Sequence, residues 1–347
     1  MTAALELERE AEVPSAPERW GRLLGGGWIF LLLLGLVVVF AVLRPDQFGS
    51  TYNLSMLAVN AAILLVLSVG QTFVIIAAGI DLSVGAVLVF ASIASALVML
   101  RLSGASGGTY GTTSGGWGVV GAGLLVALLS GAAWGAVNGV LVAMARIPAL
   151  IVTLGTFGMA LGFAQILTNG TDVRAVPEVL VDGIGAGEIA GVPVLVLIAV
   201  AVAAVGAVVL HLTRFGVHVF AVGSNQEAAR RSGINVRRRL IAIYVLSGGL
   251  AGLAAMMSTA RFATTTIGGH AMDNLATISA VVLGGTSLFG GIGSIAGTVV
   301  GVFIPIVLLN GFVILGIPPF WQTVATGAVL VLAVWIDQLK RRARDRG

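Results

Sequence analysis

The chain has 347 residues, 58% of them hydrophobic, only 10% charged and 49 of them glycine, with a mean hydropathy of +1.05. A soluble domain carries roughly a quarter charged residues, so the composition excludes a water-soluble globule and points to an integral membrane protein. The lack of cysteine excludes disulfides, zinc–thiolate sites and iron–sulfur clusters, and the single lysine, Lys340 in the tail, leaves no Gly-Lys phosphate loop for ATP hydrolysis.

A membrane-spanning helix needs about 20 mostly apolar residues. Charge-free stretches predict ten, near 23–43, 54–78, 83–100, 118–144, 148–169, 192–213, 240–260, 275–290, 294–315 and 319–337. The eighth and ninth are candidates for half-helices or one re-entrant unit. Outer-membrane barrels show alternating segments of about ten residues, and these runs are continuous. The expected fold class is therefore all-α, a polytopic transmembrane helical bundle of about ten spans with broken or re-entrant segments. A tail at 1–22, one transmembrane domain at 23–337 and a basic tail at 338–347 complete the organisation. Glu6, Glu8, Glu10 and Glu12 precede the first apolar run where a secretory signal would be basic, so the first helix is expected to be retained.

Arginine sets the expected orientation. With ten spans and both termini inside, 15 of the 19 basic residues fall on the inner side, and only Arg44, Arg101, Arg174 and Arg261 fall outside. That asymmetry obeys the positive-inside rule and explains the high isoelectric point through the lipid bilayer, with no need for nucleic acid. Three histidines, at 211, 218 and 270, are scattered instead of spaced for a metal, so no metal site is expected.

In chain order, the first chemical signal is Ala78-Gly79-Ile80-Asp81-Leu82-Ser83-Val84-Gly85. An acidic residue at membrane depth raises an ion-coupling role. The reading favoured here is a cap, with Asp81 accepting backbone N–H bonds at the start of the next helix and Ser83 reinforcing the turn. Gly79, Gly85, Gly131, Gly135 and Gly139 give small-residue spacings that let helices approach closely. Neutral polar groups at membrane depth are Asn60, Gln71, Thr72, Asn138, Thr153, Thr156, Gln165, Asn274 and Asn310. Amides and hydroxyls suit an uncharged, hydroxylated solute, and interhelical hydrogen bonding is the competing role.

The loop at 214–240 is the most polar connection. Gly223-Ser224-Asn225 is turn chemistry, Gln226 to Arg231 are good helix formers, Asn225 is a candidate N-cap and Gly233 a candidate stop. Such a short helix is either a docking handle for a partner or a topology anchor. Further on, glycine density over Gly284–Gly293, which includes Gly284, Gly285, Gly290 and Gly291, predicts broken helix, tolerated only where it is buried in protein or lines a cavity.

Four of these stretches together resemble the ribose-type permeases, membrane subunits of bacterial ABC sugar importers. They are Ala78–Gly85; Asn138-Gly139-Val140-Leu141-Val142 with Arg146-Ile147-Pro148 and Thr153-Leu154-Gly155-Thr156; the 223–234 loop; and Ala280–Gly291. The resemblance runs in family order over about 47–337. It implies a cytoplasmic ATP-binding partner with two nucleotide-binding modules, an extracytoplasmic sugar-binding protein, a second permease subunit, and a cytoplasmic (inner) membrane location. ATP and magnesium would then belong to the partner, with no cofactor or catalytic residue in this chain. Gly223, Asn225, Glu227, Ala228, Ala229, Arg230, Ser232, Gly233 and Ile234 would form the ATPase contact. Two departures concern the solute: Asn274-Leu275-Ala276-Thr277-Ile278-Ser279 lacks the acidic residues the family commonly carries there, with Asp273 a partial substitute, and Gly291-Ile292-Gly293-Ser294 lacks a basic one. The rival readings are an ion-coupled secondary carrier, for which the spans offer little besides Asp81, and a membrane-embedded enzyme, for which paired carboxylates and metal ligands are missing. Related importers move nucleosides, an autoinducer sugar or branched-chain amino acids, the last fitting these motifs least.

Overall fold

A computed structural model describes residues 28–104, 113–270, 272–318 and part of 320–338. The expected tails at 1–22 and 338–347 lie almost wholly outside the described residues.

Eleven helices carry the architecture: α1 (Trp28–Leu43), α2 (Thr51–Ile76), α3 (Val84–Leu102), α4 (Trp117–Ala143), α5 (Ala149–Thr168), α6 (Val194–Leu212), α7 (Arg214–Ser224), α8 (Gln226–Arg231), α9 (Val236–Phe262), α10 (Asp273–Leu283) and α11 (Ile295–Ile314). The described residues among 320–338 are helical as well. Among the described residues seven helices are long and apolar enough to cross a membrane: α2 to α6, α9 and α11. A two-residue hairpin, β1 (Glu188–Ile189) with β2 (Val192–Pro193), is the paired strand structure between α5 and α6.

The eighth expected helix, 275–290, differs most from expectation. It begins at Asp273 and stops at Leu283, 11 residues or about 16 Å of rise, which is half a bilayer. The reason is local. Gly285, Gly290 and Gly291 take φ of 88°, 85° and 74°, values that glycine adopts freely and other residues rarely. The chain leaves the helix, turns, and restarts where Ser294 caps α11 by accepting the Gly297 amide at 3.0 Å. The described part of the first helix covers 16 residues from Trp28.

α2 is the hub. Every residue from Ala61 to Ala77 is buried, as befits a helix that is apolar all round. α9 packs on α4, α2 and α3. Its seam with α4 is made of backbone. A Cβ at Gly131 would overlap the Gly248 carbonyl oxygen, one at Gly135 the Tyr244 carbonyl oxygen, and one at Gly139 would sit 2.7 Å from the Ile241 Cα. Without a hydrophobic force between helices in lipid, close van der Waals contact of this kind drives association. The glycine spacing read from the sequence is thus one face of a real helix crossing.

Candidate functional site

Two polar regions stand out from the apolar bundle. The first is a dry junction built on the loop between α2 and α3. Asp81 is 2% exposed. Its Oδ1 accepts the Ser83 amide at 2.9 Å and the Ser83 hydroxyl at 2.6 Å, and its Oδ2 accepts the Ser247 hydroxyl of α9 at 3.3 Å. Asn138 of α4 donates to Ser83 Oγ at 2.8 Å and accepts from Thr156 Oγ1 of α5 at 2.7 Å. Gln71 of α2, in the amide orientation its neighbours require, donates to the Asp81 carbonyl oxygen and accepts from its amide, both at 3.3 Å. Four helices, α2, α4, α5 and α9, are tied to one short loop. Asp81 is not itself the cap of α3: Ser83 holds the N-cap position without a side-chain cap bond, and the carboxylate accepts the Ser83 amide and hydroxyl one residue short of the helix instead of the amides of its first turn.

The junction continues toward α8. The Gly291 amide of the glycine-rich turn donates to the Ile76 carbonyl oxygen at 2.8 Å, and a Cβ at Gly223 would overlap that same oxygen. The ends of α2 and α7 and the turn after α10 therefore meet backbone to backbone. Beyond Gly223 the chain emerges. Asn225 caps α8 by accepting the Ala228 amide at 2.9 Å, and Gly233, at φ 83°, leads the chain away. Glu227 bonds Arg230 at 3.1 Å and Arg231 at 3.2 Å, all exposed. Of the loop residues named from the sequence, Gly223 and Ala229 are buried and Ile234 is partly buried; Asn225, Glu227, Ala228, Arg230, Ser232 and Gly233 are exposed.

The second region is a cavity of about 400 Å³ toward the opposite end of the bundle, where α9 finishes and α10 begins. Asn60 of α2, Arg261 of α9, His270, Asp273 of α10 and Asn310 of α11 give it polar walls, and Phe262, Pro305 and Leu309 are among its apolar ones. His270 is bonded on both ring nitrogens, Nε2 with Ser258 Oγ and Nδ1 with Asp273 Oδ2, each at 2.7 Å. The Ser–His–Asp order resembles a hydrolase triad only in its distances. Ser258 is 2% exposed within α9, so its hydroxyl is not presented to a substrate. Asn310 exchanges hydrogen bonds with Asn53 at 2.8 and 3.2 Å.

The two regions touch. Asn274 Nδ2 donates to the Leu82 carbonyl oxygen at 3.1 Å, and a Cβ at Gly85 would overlap the His270 carbonyl oxygen. The first turn of α10 thus rests on the Leu82–Gly85 backbone.

The nine neutral polar residues divide accordingly. Gln71, Thr72, Asn138, Thr153 and Thr156 are buried and bonded inside the bundle, Thr72 to Thr298 of α11 at 2.7 Å and Thr153 to the Ala149 carbonyl oxygen at 2.9 Å. Asn274 is buried on the Leu82 carbonyl. Gln165 is exposed on α5. Only Asn60 and Asn310 line the cavity. Of the residues that complete it, Asp273 adjoins a stretch that resembles the family, whereas Arg261 and His270 carry no sequence signature, because their meeting depends on the reversal between α9 and α10.

A bundle of apolar helices with a polar cavity toward one end, a sealed polar junction and an exposed helical handle at the other is built as a multi-pass inner-membrane transport subunit. The chain belongs to the family described as branched-chain amino acid transport system / permease component, whose model matches residues 53–334. Curated relatives include the ribose import permease protein RbsC of Escherichia coli (strain K12), 36% identical over 90% of this chain and 93% of that one. The D-allose transport system permease protein AlsC of the same strain is 32% identical over 89% and 90%. The L-arabinose ABC transporter permease protein AraH of Azospirillum brasilense is 33% identical over 99% and 98%. No solved structure matches.

Proposed function

We propose that the chain is the membrane-spanning permease subunit of an ATP-driven, binding-protein-dependent importer of a monosaccharide of the ribose, xylose or galactose kind. Translocation is by alternating access, with hydrolysis in a separate cytoplasmic subunit that carries two nucleotide-binding modules. An extracytoplasmic binding protein delivers the sugar to a pair of permease chains, two copies of this one. The relatives' names supply the solute class: ribose, D-allose and L-arabinose in those given above, and fructose in a fourth, FrcC of Rhizobium meliloti, at 33% identity. The branched-chain amino acids of the family description have no counterpart in those names.

The observation that carries the reading is the exposed helix α8, which begins three residues after the buried Gly223–Ile76–Gly291 contact. A push on α8 reaches the Asp81 junction through backbone alone, with no flexible side chain to absorb it. We place α8 and both termini on the cytoplasmic side, in line with the arginine distribution, and count ten passes by adding α1, the half-helix α10 and the helical described residues among 320–338 to the seven long ones.

The test exchanges charges on α8. Glu227→Arg with Arg230→Glu keeps an i,i+3 ion pair on the helix, and an exposed pair contributes at most about 1 kcal/mol in any case, so the fold is expected to be unaffected. The interface presented to the ATPase is inverted. The double variant is expected to insert normally yet lose the ATPase on co-purification in mild detergent. Retention of the partner and normal ATP-driven uptake would contradict the docking role.

A further inference from the structure

We propose that the cavity between α2, α9, α10 and α11 is a solute-binding station for a neutral, polyhydroxylated molecule, with Arg261 and Asp273 as its specificity-determining residues. The proposal deepens the importer reading and rests on it for the solute class only.

The size and the charge balance argue for it. At about 400 Å³ the cavity lies in the range of small-molecule sites and far below that of a peptide groove. Arg261 and Asp273 are not paired with each other among the described residues; Asp273 bonds His270 instead. With a neutral imidazole the guanidinium and carboxylate charges cancel, so an uncharged ligand leaves the site neutral and a charged one does not. Both groups are poised. Nη1 of Arg261 is buried and has no hydrogen-bond partner among the described residues, and a buried donor without an acceptor costs about 1–3 kcal/mol. The guanidinium lines the cavity, and turning Nη1 toward an acceptor oxygen bound there relieves that cost. Asp273 has its Oδ2 fixed by His270, which Ser258 fixes in turn, so the carboxylate is oriented before any ligand arrives. Adjacent hydroxyls supply what these groups lack, acceptor oxygens for the guanidinium and O–H donors for the carboxylate. Asn60 and Asn310 add amide groups from the facing wall. A hydroxylated ring also offers an apolar face to Phe262 and Pro305.

The absence of cysteine in the whole chain gives a clean test. In the full importer complex, Val313→Cys (63% exposed and lining the cavity), or Leu309→Cys one helical turn before it, is labelled with a water-soluble maleimide. Labelling is followed with and without D-ribose, D-allose, L-arabinose or D-fructose, and with D-gluconate as an anionic probe. Expected is labelling of at least one reporter, slowed about fivefold by at least one of the neutral sugars near saturation and unaffected by gluconate. Adding Asp273→Asn, or Arg261→Gln where the first variant is poorly made, is expected to leave the unprotected rate unchanged and abolish the protection. Inert reporters, no protection by any neutral sugar, protection by gluconate, or protection that survives both substitutions would each overturn the proposal. ATP-driven sugar uptake with no protection removes the station and leaves the importer reading standing. Protection without ATP-dependent uptake removes the importer reading and keeps the station.

Discussion

The junction around Asp81 and the cavity around Asp273 are both polar, both tied to α9 and within contact of each other, yet they solve opposite problems. At the junction the polar side-chain atoms of Asp81, Ser83, Asn138 and Thr156 are bonded within the chain, and the buried Tyr244 hydroxyl beside Gly79 is the neighbour without a partner among the described residues. A polar network bonded across several helices fixes one arrangement of the helices that share it. At the cavity the groups are only partly satisfied, and Arg261 retains a buried donor with no acceptor among the described residues. Polar residues at membrane depth mark function by default, but burial and partner count separate those that hold the protein together from those available to something else.

The largest expected effect tests the scaffold common to both regions. Gly135→Leu drives a side chain into the Tyr244 carbonyl oxygen on α9, where backbone cannot yield. A loss of about 3 kcal/mol or more is expected, seen as aggregation or a collapsed thermal midpoint in detergent, whereas Gly155→Leu on α5, with open space around it, is expected to be tolerated. Next comes the junction itself. Asn138→Leu removes two buried hydrogen bonds, to Ser83 and from Thr156, whose hydroxyls keep Asp81 and the Val152 carbonyl oxygen as acceptors, and is expected to cost about 1–3 kcal/mol, with uptake lost in proportion to folded protein. Smaller is the effect of Ser258→Ala, which removes one neutral hydrogen bond to His270 and is expected to cost about 1 kcal/mol. Its signature is a larger loss of sugar affinity than of stability, because it loosens Asp273; equal losses would place the relay with the scaffold and blur the contrast between the two regions.

What the sequence made legible follows from range. The cap at Asn225, the six-residue helix after it and the turn at Gly233 are decided within nine residues, and all three are in place. Asp81 and Ser83 are two residues apart, so their bond is a local matter as well. The break at the Gly284–Gly293 run is where the glycines put it, although α10 ends at Leu283, seven residues before the end that apolarity alone suggests. The illegible part is long-range. Asn138 and Thr156 lie on different helices, and nothing in their spacing says that they would bond each other and leave the path. Arg261, His270 and Asp273 sit in a reversal whose shape comes from packing, with the Asp172 carboxylate accepting the Ile267 amide at 2.8 Å from another loop. Single residues reveal their chemistry in sequence; their company does not.

The claim that most needs testing is that α8 receives mechanical input which the buried Gly223–Ile76–Gly291 contact passes to the bundle. The most direct measurement is sugar-stimulated ATP hydrolysis by the reconstituted complex carrying Gly223→Ala, whose added methyl meets the Ile76 carbonyl oxygen while α8 keeps its exposed surface. The account expects the ATPase to remain bound and its basal hydrolysis to persist, with stimulation by sugar-loaded binding protein lost. Full stimulation in that variant would contradict it.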